Sequence, residues 1–324
     1  MKVKRPGLRV RSRAGYYGVS SEVAGTQKRT SAQQLAAALI SPFGAGGVGL
    51  RVTPLFFNDQ KAGSYVRALL HINASDLTFK EQPDASRNTL LDVVAVNFGE
   101  AGQVVDQFTD TQDLVVSGDA YQDLLQNGLS FVLNVPVKQP GAYQLRVAVR
   151  DVSSERIGSA GQFIEIPDLK KNRLALSGLV ISSINQTTTG KIAITPAVQQ
   201  EATTKKATIV DPKGQTGPAV RRLRQGMVLS YAYTIYNAQV KGMDPPQLQT
   251  QMLLFRDGKQ VFAGKVSPYN VGRQVDMNRL KVNGGLRIGP ELIPGEYVLQ
   301  VIVTNNLKDK PNSATQTLDF EILE

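Results

Sequence analysis

"KQPGAYQLRVAVRD" fills residues 138–151, and "LIPGEYVLQVIVTN" fills residues 292–305. Aligned without gaps, Pro140, Gly141, Tyr143, Leu145, Val147 and Val149 match Pro294, Gly295, Tyr297, Leu299, Val301 and Val303. After the Pro-Gly pair the identities fall on every second residue. That is strand spacing, because side chains alternate faces along a strand. Each copy therefore reads as a turn feeding a long strand with one buried face. Pro140, Gly141, Tyr143, Pro294, Gly295 and Tyr297 are the candidate structural-repeat residues. Each tyrosine is expected to bury its ring and give its hydroxyl to a backbone partner, as in a tyrosine corner.

The segments after the two copies also match. "SAGQFIEI" (159–166) follows the first and "SATQTLDFEI" (313–322) the second. Other short alternating runs lie at 49–57, 64–74, 89–98, 103–110 and 129–137, and again at 174–184, 227–238, 247–266 and 285–289. Asp257-Gly258 between apolar runs is a strong hairpin signal. The pattern predicts an all-β chain: two tandem antiparallel immunoglobulin-like β-sandwiches with a short N-terminal helix. Residues 1–44 read as a basic strand and linker helix, 45–168 as the first sandwich and 169–324 as the second. "PDLKKNR" (167–173) is the joint, predicted to leave the two cores in modest contact. The polar stretch 185–220 reads as a long loop with one or two weak strands.

In "TSAQQLAAALISP" (30–42), Ser31 with Gln34 forms the expected capping box. Leu35, Leu39 and Ile40 form an apolar stripe that should lie on the first sandwich, and Pro42 stops the helix. "FGAGGVG" (43–49) reads as a flexible joint. Ser117 and Gly128 bracket a second short helix.

The net charge of +10 sits mainly at the start. Eight of the 37 cations and one of the 27 anions fall in residues 1–30. Lys2, Lys4, Arg5, Arg9, Arg11 and Arg13 are the candidate contacts to an anionic surface. Only Tyr16 and Tyr17 there could stack on bases, which argues against nucleic acid as a partner. No apolar h-region follows these cations, so a signal peptide is not expected within the chain. No apolar run reaches the ~18 residues of a membrane-spanning helix.

The absence of cysteine excludes disulfides and thiolate chemistry. One histidine, His71, sits in an apolar strand, and no GxSxG elbow or Ser-x-x-Lys pair is present. One histidine and no cysteine also argue against zinc. "GAGGVG" has a helix before it and a strand after it, the reverse of a dinucleotide site. Asp106, Asp110 and Asp113 lie close in sequence but lack a glycine-pivoted calcium spacing, and read as a solvated loop. Arg221, Arg222 and Arg224 read as a solvated cluster. No catalytic, metal or cofactor residues are assigned, and the chain is expected not to be an enzyme.

"VKRPGLRVRSRAGYYG" (3–18) resembles the end of the von Willebrand factor A-type domain in acidobacterial proteins related to that module. "HINASDLTF" (71–79), "PGAYQLRVAVRD" (140–151), "GSAGQFIEIPDLKKNRLALSGLVIS" (158–182) and "PGEYVLQVIVTN" (294–305) resemble the region after it. The resemblance covers nearly the whole chain, weakly over 185–285. It implies a bacterial, extracytoplasmic protein with a structural or interaction role. The family's metal-dependent adhesion signature is absent: "DASRN" (84–88) and "DVSSE" (151–155) come nearest, and neither completes it.

The expected function is a non-catalytic structural and protein-interaction module, spacing or presenting an upstream A-type domain. The alternative is a glycan- or peptide-binding module using the groove between the sandwiches, which an aromatic patch of Tyr231, Tyr233, Tyr236 or Tyr269 would favour. A third reading, hydrolysis, requires two carboxylates about 5–10 Å apart in a cleft.

Overall fold

Alternating apolar residues make most of this chain strand. The computed structural model describes residues 29–184, 208–210, 219–238, 246–306 and 312–323. Helix α1 (Ser31–Ile40) precedes β1 (Leu50–Asp59), β2 (Gly63–Ile72), β3 (Lys80–Glu81), β4 (Arg87–Phe98) and β5 (Val104–Val116). Helix α2 (Gly118–Asn127) leads to β6 (Leu129–Pro136), β7 (Gly141–Asp151) and β8 (Ile157–Ile166). Then come β9 (Ala175–Leu176), β10 (Val180–Ile184), β11 (Thr208–Val210), β12 (Arg222–Arg224) and β13 (Val228–Tyr236). The last are β14 (Leu248–Arg256), β15 (Lys259–Ala263), β16 (Ser267–Pro268), β17 (Arg279–Arg287), β18 (Gly295–Asn305) and β19 (Asn312–Leu323).

Strands β5, β4, β7 and β8 form one sheet, with β3 beside the start of β4. Strands β1, β2, β6 and β11 form another. Both sheets send apolar faces into one core, which holds Val66, Leu70, Phe131, Leu91 and Leu145. The second pair repeats this. Strands β15, β14, β18, β19 and β12 face β10, β13 and β17 around Leu179, Leu229, Leu254, Leu299 and Phe320. Among the described residues the pairings are antiparallel except one: β12 runs parallel to β19, with Arg222 opposite Glu321. No tight turn joins those two strands, so nothing forces the antiparallel sense.

The repeat extends to register. Gly141 lies opposite Ile166 on β8, and Gly295 lies opposite Ile322 on β19. On the other side, Leu145 faces Asn97 and Leu299 faces Leu254. Both hairpins shift register at the equivalent step, between Asn97 and Phe98 and between Leu254 and Phe255. Tyr143 and Tyr297 are both buried. The Tyr143 hydroxyl donates to the Gln139 carbonyl at 2.7 Å, and the Tyr297 hydroxyl donates to the Ile293 carbonyl at 2.8 Å. Gly141 and Gly295 have φ of 139° and 143°, a backbone that side-chain-bearing residues rarely adopt.

Helix α1 begins one residue earlier than its sequence suggests. Thr30 caps it, accepting from the Gln33 N–H, while the Gln33 side chain accepts from the Thr30 N–H. Leu35 and Leu39 pack on Val96 and Ala148, on the outer face of the β4–β7 pair. Ile40, expected in that stripe, is exposed, because its side chain is turned off this face. Arg146 Nη1 donates to the carbonyls of Leu39 and Ser41, placing a cation at the negative end of the helix. The glycine-rich stretch that follows is pinned. The Gly47 N–H donates to the Ile157 carbonyl, and the Ser159 N–H donates to the Ala45 carbonyl, so it runs as a border along the start of β8.

The two cores meet along β1. Pro54 sits mid-strand and has no N–H to give. Proline is accepted where that N–H would face away from the neighbouring strand. On this outward edge the Phe56 carbonyl accepts from the Gly178 N–H at 2.7 Å, and the Asn58 N–H donates to the Tyr236 hydroxyl at 2.8 Å. Arg279 donates twice to Asn58 Oδ1, at 3.0 and 2.7 Å. Tyr236, on β13, is packed into the first core, edge-on to Phe56. Leu55, Leu69 and Val132 from the first pair of sheets bury Val180 and Ala219 from the second. The segment 167–173 is itself tied down, since Asn237 Nδ2 donates to the carbonyls of Leu169 and Arg173. The contact expected to be modest is thus apolar, hydrogen-bonded and interdigitated.

Candidate functional site

A cleft runs between β8 and β1 on one side and β19 on the other. It comprises two adjoining cavities of ≈ 720 and ≈ 460 Å³ that share Gln162, Arg221 and Asp319 in their walls. The strands around it are edges. The Glu321 N–H donates outward to the Arg221 carbonyl at 2.9 Å. Backbone direction alternates along a strand, so Thr315, Thr317 and Asp319 also present N–H and C=O outward. Strand β12 covers β19 only from Glu321 onward. Among the described residues those outward groups of Thr315, Thr317 and Asp319 have no hydrogen-bond partner. The edge of β8 across the cleft alternates in the same way. Ile157 and Ser159 bond outward to the glycine-rich border, which ends before Gly161, Phe163 and Glu165. Two bare strand edges therefore face one cleft.

Its walls carry five carboxylates, Glu165, Asp257, Glu296, Asp319 and Glu321, against the guanidiniums of Arg51 and Arg221. Both cations are engaged. Arg51 Nη1 donates to the Val220 carbonyl at 2.9 Å. Arg221 Nη1 lies 2.8 Å from Asp319 Oδ1, with side-chain exposures of 6% and 74%. Burial lowers the Arg221 pKa, and the Asp319 charge works against that shift. Arg221 is thus a wall of the joint, not the solvated residue expected from its cluster. Its partner lies 98 residues away, so no local spacing signals it. Arg222 is exposed and pairs with Glu321 at 2.8 Å. Glu296 and Glu321 lie directly opposite each other on β18 and β19, so the cleft does gather carboxylates.

The other candidates fall elsewhere. Tyr233 and Tyr236 are core residues, and burial pushes both hydroxyls far up. Tyr231 stacks on Tyr233 with ring centroids 6.4 Å apart, and the Tyr269 hydroxyl donates to the Lys281 carbonyl. None of the four lines the cleft, so the aromatic patch that would have favoured ligand binding is not formed there. The exposed ring at the rim is Phe163. Asp106, Asp110 and Asp113 lie on strand β5 rather than a loop, and alternation puts Asp113 on the opposite face from the other two. Asp151 organises the β7–β8 turn: it accepts from the N–H groups of Thr78 and Ser153 and from the Ser154 hydroxyl. Its burial alone would raise its pKa, yet those bonds outweigh it and hold the carboxyl below the usual range. Asp84 makes a similar turn with Ser86. His71 is partly buried on β2, with its pKa lowered by burial and by the charges of Arg51 and Arg222. Lys2, Lys4, Arg5, Arg9, Arg11 and Arg13 lie outside the described residues, as does most of 185–220. Among the described residues no helix is long and apolar enough to cross a membrane, and no acidic or histidine cluster is arranged for a metal.

No family model matches the chain, and no curated protein matches it. Among solved structures it is similar to the crystal structure of Salmonella alpha-2-macroglobulin reacted with methylamine, at 11% identity and a TM-score of 0.30. That match covers 85% of this chain and 24% of the other, so the chain spans about a quarter of that protein's length.

Proposed function

We propose that this chain is a non-catalytic spacing and protein-contact module, built as two immunoglobulin-like β-sandwiches in tandem. The observation that carries the reading is the joint. Tyr236 enters the first core, and Gly178, Asn58 and Arg279 close hydrogen bonds across the boundary. Flexibly linked repeats need no such interlock, whereas a spacer that holds its ends at a fixed separation does. Asp84 and Asp151, which head the two strings nearest an adhesion signature, serve as turn anchors, which also supports a structural role. From the family resemblance we place the module in a bacterial envelope or secreted protein, next to an A-type domain that it would present. Small-angle scattering of the whole chain tests the spacing role. One rigid arrangement should fit the profile, and a need for a broad ensemble of arrangements would contradict it.

The cleft supports a second reading, ligand binding between the sandwiches. Its bare strand edges favour peptide over glycan, since the exposed aromatic rings that sugars stack on are few there.

A further inference from the structure

We infer that the cleft binds an extended peptide by strand addition to the Thr315–Asp319 edge of β19, and that the preferred peptide is cationic. This rests on reading the chain as a protein-contact module and names the kind of partner. A strand edge with unused N–H and C=O groups is a template for one more strand. Here that edge has no hydrogen-bonded neighbour before Glu321 among the described residues, although β9 packs near it. Strand β12 covers only its end, and the outward groups of Thr315, Thr317 and Asp319 have no hydrogen-bond partner among the described residues. The facing edge of β8 is likewise open from Gly161 to Glu165, so the added strand lies between two edges.

Charge and shape choose the side chains. Five carboxylates line the walls, and the two guanidiniums among them already hold protein partners. Glu165 and Glu296 have no cation within ion-pair distance among the described residues. A cationic peptide is therefore favoured over an acidic one. Successive side chains of an added strand point to opposite sides. Phe163 and Glu165 share one face of β8, and Glu296 and Val298 share one face of β18, so one set meets both the carboxylates and these apolar side chains.

The test uses the full chain and labelled acetyl-KVKVKVK as the probe, followed by fluorescence anisotropy and by amide exchange. Binding should slow exchange within 313–319. KVKPKVK keeps the charge but lacks one central N–H, and should bind about tenfold more weakly, the loss of roughly one hydrogen bond. Thr317→Pro deletes an outward N–H without touching the β18 ladder. It should weaken KVKVKVK about tenfold, while Thr317→Val leaves binding unchanged. If Thr317→Pro does not fold, the two peptides decide alone. Equal binding of KVKVKVK and KVKPKVK, equal binding of DVDVDVD, or protection confined to strands other than β19 and β8 would overturn the proposal. None of these results alters the separation of the two cores, so failure here is distinguishable from failure of the spacing role.

Discussion

Tyr143 and Tyr297 make the same hydrogen bond at equivalent points of two strands, each to the carbonyl four residues upstream. Each ring is buried beside a Pro-Gly turn whose glycine has nearly the same φ. Tyr143→Phe and Tyr297→Phe should each cost about 1 kcal/mol, one net hydrogen bond. Tyr143→Ala should cost about 3–5 kcal/mol, as for other buried aromatics. Urea denaturation of the four proteins checks this. An unchanged midpoint for Tyr143→Ala would show that the ring is not part of the core.

Asn97 breaks the repeat. It is fully buried, and among the described residues neither atom of its amide has a hydrogen-bond partner. Leu254 fills the equivalent position in the second core. A buried polar group without a partner costs about 1–3 kcal/mol. Asn97→Leu should therefore raise stability by at least about 1 kcal/mol. A lower melting temperature would mean that the amide is satisfied in solution.

Burial and the charges of Arg51 and Arg222 depress the His71 pKa below its ordinary value of 6.5. Between the folded value and 6.5 the unfolded chain binds more protons than the folded one. The contribution of His71 is then complete above about pH 6.5 and declines as pH falls through the folded value. Asp59 and Asp151 are depressed below 3.8 and act only in a more acid window. His71→Gln should flatten the loss of stability between pH 7 and 5. The same slope in both proteins would exclude His71 as its source.

Gly178 stands where the two cores touch. A Cβ there would lie 2.6 Å from Leu55 Cβ and 2.9 Å from its Cα, and backbone cannot rotate aside. Gly178→Ala should cost about 1–3 kcal/mol, the usual range for overpacking. A thermal melt checks it, and a neutral result would mean that β1 and Gly178 separate readily.

Strand positions were legible because alternation is local. The segment 138–151 differs from β7 only by its turn residues, and the tyrosine corner follows from a proline, a glycine and a tyrosine in fixed order. The joint was not legible. Tyr236 looks like one more inward tyrosine of β13, and nothing near it announces Asn58, 178 residues away. Arg221 looked solvated because its neighbours Arg222 and Arg224 are charged, and only the fold brings Asp319 to it. The cap of α1 moved by one residue because Thr30 and Ser31 are both good caps. The cleft is a property of which edges remain unpaired, and single strands do not record that.

The proposed spacing role requires that the two cores be held at a fixed separation. With no native cysteine, Gln107→Cys and Gln260→Cys place two unique spin labels on exposed strands, one in each pair of sheets. Pulsed dipolar spectroscopy should give one narrow distance distribution, broadened when Tyr236→Ala and Arg279→Ala are added to loosen the joint. A broad distribution in the otherwise unaltered chain would contradict the account.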